Sequence, residues 1–165
     1  MSKVVKKNWS LTIDNSLNQK QLGLLFENIA LNFFIKANYQ LIDKNWRTKQ
    51  GEIDLVMMSP CTETLCFIEV KARNALSDIG IKSSVDYNKR TQIYGVAQQY
   101  ISKNYSKIKD KRIRIDVVRF LFRNENNNFS GSMEHIINAV DYGFTKNFTK
   151  KKSLLRNRYS KDNRS

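Results

Sequence analysis

The sequence predicts a mixed α/β fold, in which helices flank a mixed central sheet in the order α-β-β-β-α-β. Two long segments, 17–37 and 85–103, carry apolar residues at spacings of three and four, which is typical of amphipathic helices. Between them, residues 51–58 and 65–72 alternate two residue classes and are separated by Ser59-Pro60 and polar residues, which indicates a β-hairpin. A strand predicted at 112–122 follows the second helix, and this strand-helix-strand crossover predicts parallel pairing with the second hairpin strand.

The charge of the chain favours an anionic partner. Its net charge is +14 and its pI is about 9.9, and nucleic acid is the commonest partner of a compact basic domain. Lysine and asparagine are abundant throughout, as an AT-rich genome would also produce, so charge alone leaves both explanations open. We expect a flexible basic leader at 1–16, a domain at 17–142 and a disordered basic tail at 143–165, where eight lysines and arginines face one aspartate.

The two cysteines, Cys61 and Cys66, are too few for a disulfide framework and predict free thiols in a reducing compartment. No apolar run approaches the roughly 20 residues that a membrane span requires. We therefore expect a cytoplasmic protein with no membrane partner.

The hairpin brings two acidic residues together. A turn centred between Cys61 and Thr62 sets Leu55 opposite Ile68 and, one step further, Asp54 opposite Glu69. Side chains directly opposite lie roughly 5 Å apart at Cβ, where like charges destabilise a sheet. A purely structural strand pair has no reason to place two carboxylates there.

A divalent cation would supply that reason. Mg²⁺ takes oxygen ligands and is commonly held by one or two carboxylates plus substrate phosphate, so Asp54 and Glu69 predict a site for Mg²⁺ or Mn²⁺. Lys71 projects from the same face as Glu69 at about 6–7 Å along the strand. Its ammonium group is placed to orient a water molecule or to stabilise charge on a phosphate oxygen.

Asp54, fourteen intervening residues and then Glu69-Val70-Lys71 resemble the D…E-x-K motif of the restriction-endonuclease-like, or PD-(D/E)-x-K, nuclease superfamily. An E-x-K tripeptide alone is weak evidence in a lysine-rich chain, but an ordered set of further segments makes the resemblance specific. More narrowly, the chain resembles the YraN family of predicted bacterial endonucleases. The segments that carry this likeness are Gly23 to Ala30, Asn45 to Arg47, Gly51 to Val56, Phe67 to Arg73, Arg114 to Val118 and His135 to Ala139. One departure is Ile53, where a proline often precedes the aspartate.

The resemblance implies a restriction-endonuclease-like core and further ligands for the metal. In related nucleases an acidic residue on the first helix completes the metal site, and Glu27 matches it; a surface glutamate on a helix flank is the alternative. The carbonyl of Val70 would join Asp54 and Glu69. Junction-cleaving relatives suggest a homodimer by analogy.

Several basic residues are candidates for nucleic-acid binding, although cations on a solvated surface need no such role. The candidates are Arg47, Arg73, Lys89, Arg90, Lys150, Lys151 and Lys152. Residues 74–84 are interpreted as a mobile loop over the site or as an ordinary long connection. We expect Trp46, Asp116 and His135 to support the fold by packing or hydrogen bonding, with base stacking by Trp46 and a metal role of Asp116 as the alternatives.

These observations together predict a metal-dependent endonuclease that hydrolyses phosphodiester bonds, with DNA favoured over RNA and branched or single-stranded DNA as candidate substrates. The alternative is a non-catalytic nucleic-acid-binding module on a nuclease fold. A requirement for metal in binding would separate them, because a basic binding module makes salt-sensitive phosphate contacts without metal.

Overall fold

A computed structural model of the chain describes residues 3–12, 17–61, 63–75, 87–126 and 128–140, apart from the side chains of Tyr87, Asn88 and Arg90. The elements in chain order are β1 (Lys3–Thr12), α1 (Gln19–Lys36), β2 (Gln40–Thr48), β3 (Gly51–Met58), β4 (Thr64–Asn74), α2 (Tyr87–Lys103), α3 (Tyr105–Ile108), β5 (Arg112–Glu125) and β6 (Asn128–Ile137).

These strands form a six-stranded mixed sheet in the order β1-β6-β5-β4-β3-β2. The β4–β5 pair is parallel and the other four pairs are antiparallel. The predicted mixed α/β class and the parallel crossover through the second helix are therefore confirmed. The sheet is larger than the four strands of the predicted core, because β1 and β6 extend it on one side.

The first helix begins at a capping box. The Asn18 side chain accepts a hydrogen bond from the Gln21 backbone N–H, and the Gln21 side chain accepts one from the Asn18 N–H, both at 2.9 Å. These two bonds satisfy donors that a helix start would otherwise leave unpaired. Phe26, Ala30 and Phe34 recur every four residues and are buried, so this stripe packs α1 on the sheet.

The sheet separates two hydrophobic cores. On the α1 side, Phe26, Ala30 and Phe34 pack with strand residues that include Leu55 and Ile68. On the α2 side, Ile93, Val96 and Ala97 pack with strand residues that include Val56 and Phe67. Cys61 is exposed and Cys66 is buried, and both are free thiols, as predicted.

The prediction of a flexible leader at 1–16 is wrong for residues 3–12, because these residues form the edge strand β1. It pairs antiparallel with β6 along its whole length, so β6 supplies the backbone partners. The Trp9 ring packs edge-on against Phe26 and Phe120, with centroids 5.5 and 5.9 Å away, and Lys6 Nζ lies 2.7 Å from Glu134 Oε1. The strand was not predicted because only one of its faces is apolar and its several lysines interrupt the alternation of apolar and polar residues.

The last strand also differs from its predicted position. The three successive asparagines and Gly131 in the sequence predict a turn at 124–132 and a short final strand at 133–140, whereas β5 runs to Glu125 and β6 starts at Asn128. The tight turn has Asn126 at φ 50°, a conformation that asparagine tolerates well. Gly131 has no room for a side chain, since a Cβ there would lie 1.9 Å from the Leu121 carbonyl oxygen.

The hairpin register that predicted the carboxylate pair is confirmed from Leu55, opposite Ile68, to Met58, opposite Leu65. The prediction that side chains of β3 alternate strictly between the two faces of the sheet is wrong just before this ladder. Ile53 packs in the core on the α2 side, whereas Leu55 packs in the core on the α1 side. The strand is therefore irregular at Asp54.

Two predicted segments, most of the 74–84 loop and the 143–165 tail, lie outside the described residues. Within the described part of the chain, no helix is long and apolar enough to cross a membrane.

Candidate metal and nucleic-acid site

Asp54 lies at the point where the β3–β4 ladder ends. Its Oδ2 atom accepts a hydrogen bond of 2.6 Å from the backbone N–H of Val70, next to Glu69. This bond satisfies a donor that β3 no longer pairs, because the regular pairing stops at Leu55. Asp54 and Glu69 are only 7% and 6% exposed. The two carboxyl groups are thus neighbours in a site that is largely closed to water.

Burial raises the pKa of the Asp54 carboxyl to about 7, and the nearby Glu69 carboxylate adds to this rise. The hydrogen bond from Val70 opposes the rise, while the charges of Glu27 and Glu52 reinforce it. The Asp54 carboxyl is therefore about half protonated near neutral pH in the metal-free protein. A cation close to it would favour the ionised form.

Glu69 already has one cationic partner. Lys89, in the first turn of α2, places its Nζ atom 2.8 Å from Glu69 Oε1. Burial raises the pKa of Glu69, whereas the hydrogen bond and charge of Lys89 and the charge of Lys71 oppose that rise. Lys71 therefore lies close to the site, as the E-x-K spacing predicts.

The second oxygen of Glu69 is not satisfied. Its Oε2 atom is buried, and no described residue donates a hydrogen bond to it; Oε2 of Glu27 on α1 is in the same condition. Orphaned buried carboxylate oxygens are costly unless a ligand completes their coordination. These two oxygen atoms are hard ligands of the kind that a divalent cation prefers, so the residues present fit such an ion.

The described residues do not form a complete protein cage for a metal. No group of three or more His, Cys, Asp or Glu side chains among them is close enough together to hold an ion. The charge of Glu27 acts on Asp54, but Glu27, Asp54 and Glu69 are not close enough together to bind one ion as a group. Such an open set still suits Mg²⁺, which usually keeps several waters and takes few protein carboxylates.

The nucleic-acid candidates fall into three groups. Arg47 and Arg73 are exposed, Arg47 being paired with Glu52 at 3.0 Å, whereas Lys89 points into the carboxylate site. The Arg90 side chain and Lys150, Lys151 and Lys152 lie outside the described residues.

A family model described as uncharacterised protein family UPF0102 matches residues 26–120, which is more than half of the chain. The chain belongs to this family. A UPF0102 protein of Caldicellulosiruptor bescii is 37% identical over 113 residues, covering 67% of this chain and 91% of that protein. UPF0102 proteins of Clostridioides difficile and Dictyoglomus thermophilum are 32% and 34% identical, each over 74% of this chain and 99% of the relative. The region matched by the UPF0102 model includes Asp54, Glu69, Lys71 and Lys89, whereas β1 lies outside it.

A second buried polar cluster of this UPF0102 chain supports the fold. Asp116 is fully buried and accepts two hydrogen bonds from Arg114, at 2.8 and 2.9 Å, and one from the Asn138 N–H at 2.9 Å. His135 Nε2 lies 2.8 Å from Asp116 Oδ2, and the His135 ring packs edge-on against Phe34. These contacts agree with the structural roles predicted for Asp116 and His135.

Two features of the structure that bear on the candidate site were missed by sequence reasoning. Lys89 was expected on the phosphate backbone, and its contact with Glu69 depends on how α2 docks, which no local pattern reveals. The second is a basic cleft beside Trp46. Trp46 packs against Tyr100 as predicted, but Lys49 and Lys103, which lie beside it, are far apart in sequence.

Proposed function

We propose that this UPF0102 protein is a divalent-metal-dependent endonuclease that hydrolyses phosphodiester bonds, with DNA as the favoured substrate. The observation that carries the proposal is the sheltered pair Asp54 and Glu69, with a raised pKa on both carboxyls and a Glu69 oxygen that no described residue satisfies. Lys71 follows in the D…E-x-K spacing. A nuclease of the PD-(D/E)-x-K type needs this combination of acidic oxygens and an adjacent ammonium group.

In this mechanism Asp54, Glu69 and the Val70 carbonyl hold Mg²⁺ or Mn²⁺. When bound, the metal supplies Lewis-acid polarisation of the phosphoryl group and lowers the pKa of a water ligand. Lys71 orients the attacking water and stabilises negative charge on the phosphate. Glu27, whose Oε2 has no hydrogen-bond partner among the described residues, would accept a hydrogen bond from a water molecule and help to position it. The low exposure of both carboxylates excludes bulk water, which strengthens each of these electrostatic contacts.

The proposal is tested by incubating the full chain with duplex, branched and single-stranded DNA and with RNA, in Mg²⁺, in Mn²⁺ and in EDTA. We expect cleavage in the presence of metal and none in EDTA. Cleavage that persists in EDTA, or that survives Asp54→Asn, Glu69→Gln and Lys71→Ala alike, would place the activity elsewhere or in a contaminant.

One observation favours a second candidate, a nucleic-acid-binding module without turnover. Lys89 already neutralises Glu69 at 2.8 Å, so the metal-free site is partly compensated. Such a module would bind nucleic acid equally well in Mg²⁺ and in EDTA, with strong salt dependence and no cleavage.

The ion pair with Lys89 makes a prediction for metal affinity. A metal at Glu69 must compete with the ammonium group, so Lys89→Met should tighten Mn²⁺ binding about tenfold at pH 8, as expected for loss of a competing contact of about 1.4 kcal/mol. Isothermal titration calorimetry without nucleic acid measures this change. Lys111→Met is the matched control, because Lys111 pairs with the exposed Glu63 at the same 2.8 Å. Weaker Mn²⁺ binding by Lys89→Met would show that Lys89 assists the metal instead.

The raised pKa of Asp54 predicts a pH effect on stability. The group titrates near 7 in the folded, metal-free protein and near 4 when unfolded, so between these values the folded state binds the extra proton. The contribution of Asp54 to the free energy of unfolding must therefore fall as pH rises from about 4 to 7. Asp54→Asn removes this pH-dependent cost. We therefore expect the free energy of unfolding of the variant, relative to that of the wild type, to be about 2–4 kcal/mol higher at pH 8 than at pH 4.5.

Urea unfolding of both proteins in EDTA at the two pH values measures that gain. Asp110→Asn, which also removes one carboxylate but at an exposed position, is the control for the loss of a charge. A stability difference between Asp54→Asn and the wild type that stays constant over this pH range would contradict the raised pKa.

A further inference from the structure

The cleft between the end of β2 and the C-terminal end of α2 lies outside the carboxylate site. Its volume is about 550 Å³, and the residues around it include Trp46, Arg47, Thr48, Lys49, Ser102 and Lys103. We propose that this basic cleft is a second phosphate subsite, which binds the backbone of the same nucleic acid away from the scissile bond. The identity of the ligand rests on the proposed nuclease function.

The charges of the cleft are available to an anion. Among the described residues, no carboxylate lies within ion-pair distance of Lys49 or Lys103. The Lys103 Nζ atom lies 4.9 Å from the centre of the Trp46 ring, a cation–π contact that leaves its charge uncompensated. Arg47 pairs with Glu52, but the two side chains are 75% and 48% exposed, so water and salt screen this pair.

The walls of the cleft are held in place before any ligand binds. Trp46 pairs with Ile53 across β2 and β3, and its ring packs edge-on against Tyr100 at 5.1 Å. The β2–β3 turn is tied to α2, because the Gln50 carbonyl accepts a bond of 2.7 Å from Gln92 and the Gln50 side chain accepts one of 2.9 Å from Gln99. A fixed set of cations reduces the entropy lost when a phosphate binds.

The cleft is linked to the proposed catalytic site through Glu52. Arg47 on its rim contacts Glu52, whose charge raises the pKa of both Asp54 and Glu69. Along α2, Lys89 at the carboxylates and Lys103 at the cleft are separated by fourteen residues, or about 21 Å at 1.5 Å per residue. This distance equals about six base pairs of duplex at 3.4 Å each, so one nucleic acid is long enough to reach both places.

The charged groups of the cleft suit a phosphate backbone better than a base edge. The ring of Trp46 is occupied by Lys103 on its face and by Tyr100. The subsite should therefore add affinity without sequence preference.

The test compares two double variants of the full chain that remove equal charge. Lys49→Met/Lys103→Met empties the cleft of two cations, and Lys20→Met/Lys36→Met removes two exposed lysines from α1, on the opposite face of the sheet. Binding to a duplex of about 20 base pairs is measured in EDTA over a range of salt concentrations. The cleft variant should lower the slope of log K against log salt by about 1.8 and weaken binding by one to two orders of magnitude near 0.1 M salt, since each lost contact removes about 0.9 from the slope. The α1 variant should match the wild type.

An unchanged slope in the cleft variant, or an equal decrease in both variants, would overturn the proposal. Since binding is measured in EDTA, the outcome does not depend on hydrolysis. A reduced slope in the cleft variant alone, together with no metal-dependent cleavage by the wild type, would support the subsite and reject the nuclease. Metal-dependent cleavage with an unchanged slope would do the reverse.

Discussion

Replacement of Asp54 by asparagine is expected to lower metal-dependent cleavage by about 10³-fold or more, because a metal-bound transition state loses several kcal/mol of stabilisation and each 1.36 kcal/mol is tenfold in rate. The fold should survive this change. The asparagine Oδ1 can still accept the 2.6 Å bond from Val70, and it replaces a carboxyl whose pKa is already about 7. Glu69→Gln should have a similar effect, and Lys71→Ala should cost about 10²–10⁴-fold.

The matched control is Glu63→Gln, which changes an exposed glutamate in the turn of the same hairpin. Cleavage rates with a fixed DNA substrate in Mg²⁺ should be unchanged in this variant. If Asp54→Asn retains wild-type cleavage while its far-UV circular dichroism is also unchanged, the carboxylate pair is not the catalytic site.

Replacement of Asp116 by alanine is expected to lower the free energy of unfolding by about 3–5 kcal/mol, since it leaves a buried charge unpaired. Asp116 accepts one bond from Arg114 on each carboxylate oxygen and one from Asn138 on Oδ1, and its Oδ2 atom lies 2.8 Å from His135 Nε2. All of these partners would lose an acceptor that is fully buried, and His135 is itself buried. Urea unfolding at pH 7.5 measures the change.

Glu63→Ala serves as the control for Asp116→Ala, because its ion pair with Lys111 involves a glutamate side chain that is 78% exposed. An exposed pair of this kind contributes about 0–1 kcal/mol. A loss below about 1 kcal/mol for Asp116→Ala would mean that the cluster around Asp116 does not stabilise the fold.

The parts of the fold that depend on short-range patterns were predictable from the sequence. The α1 stripe of Phe26, Ala30 and Phe34 repeats at helical spacing, and the register from Leu55 to Met58 follows from the length of the turn. Because the register was correct, the proximity of Asp54 and Glu69 could be anticipated. The break in alternation at Asp54 could not, since it arises where Asp54 bonds to Val70 rather than from any pattern in β3.

The features that depend on docking between distant segments were not predictable. Lys89 reaches Glu69 only because α2 packs on the sheet with its first turn beside the middle of β4. The strand β1 forms because β6 leaves an open edge and because Phe26 and Phe120 provide a surface for Trp9. No spacing within residues 1–16 carries that information.

The central claim is that Asp54 and Glu69 together bind a divalent cation. Isothermal titration of the full chain with Mn²⁺ at pH 8, in the absence of nucleic acid, tests it most directly. The account predicts saturable binding by the wild type, with loss of binding in Asp54→Asn and in Glu69→Gln. Equal Mn²⁺ binding by the wild type and both variants, or no binding by any of them, would contradict it.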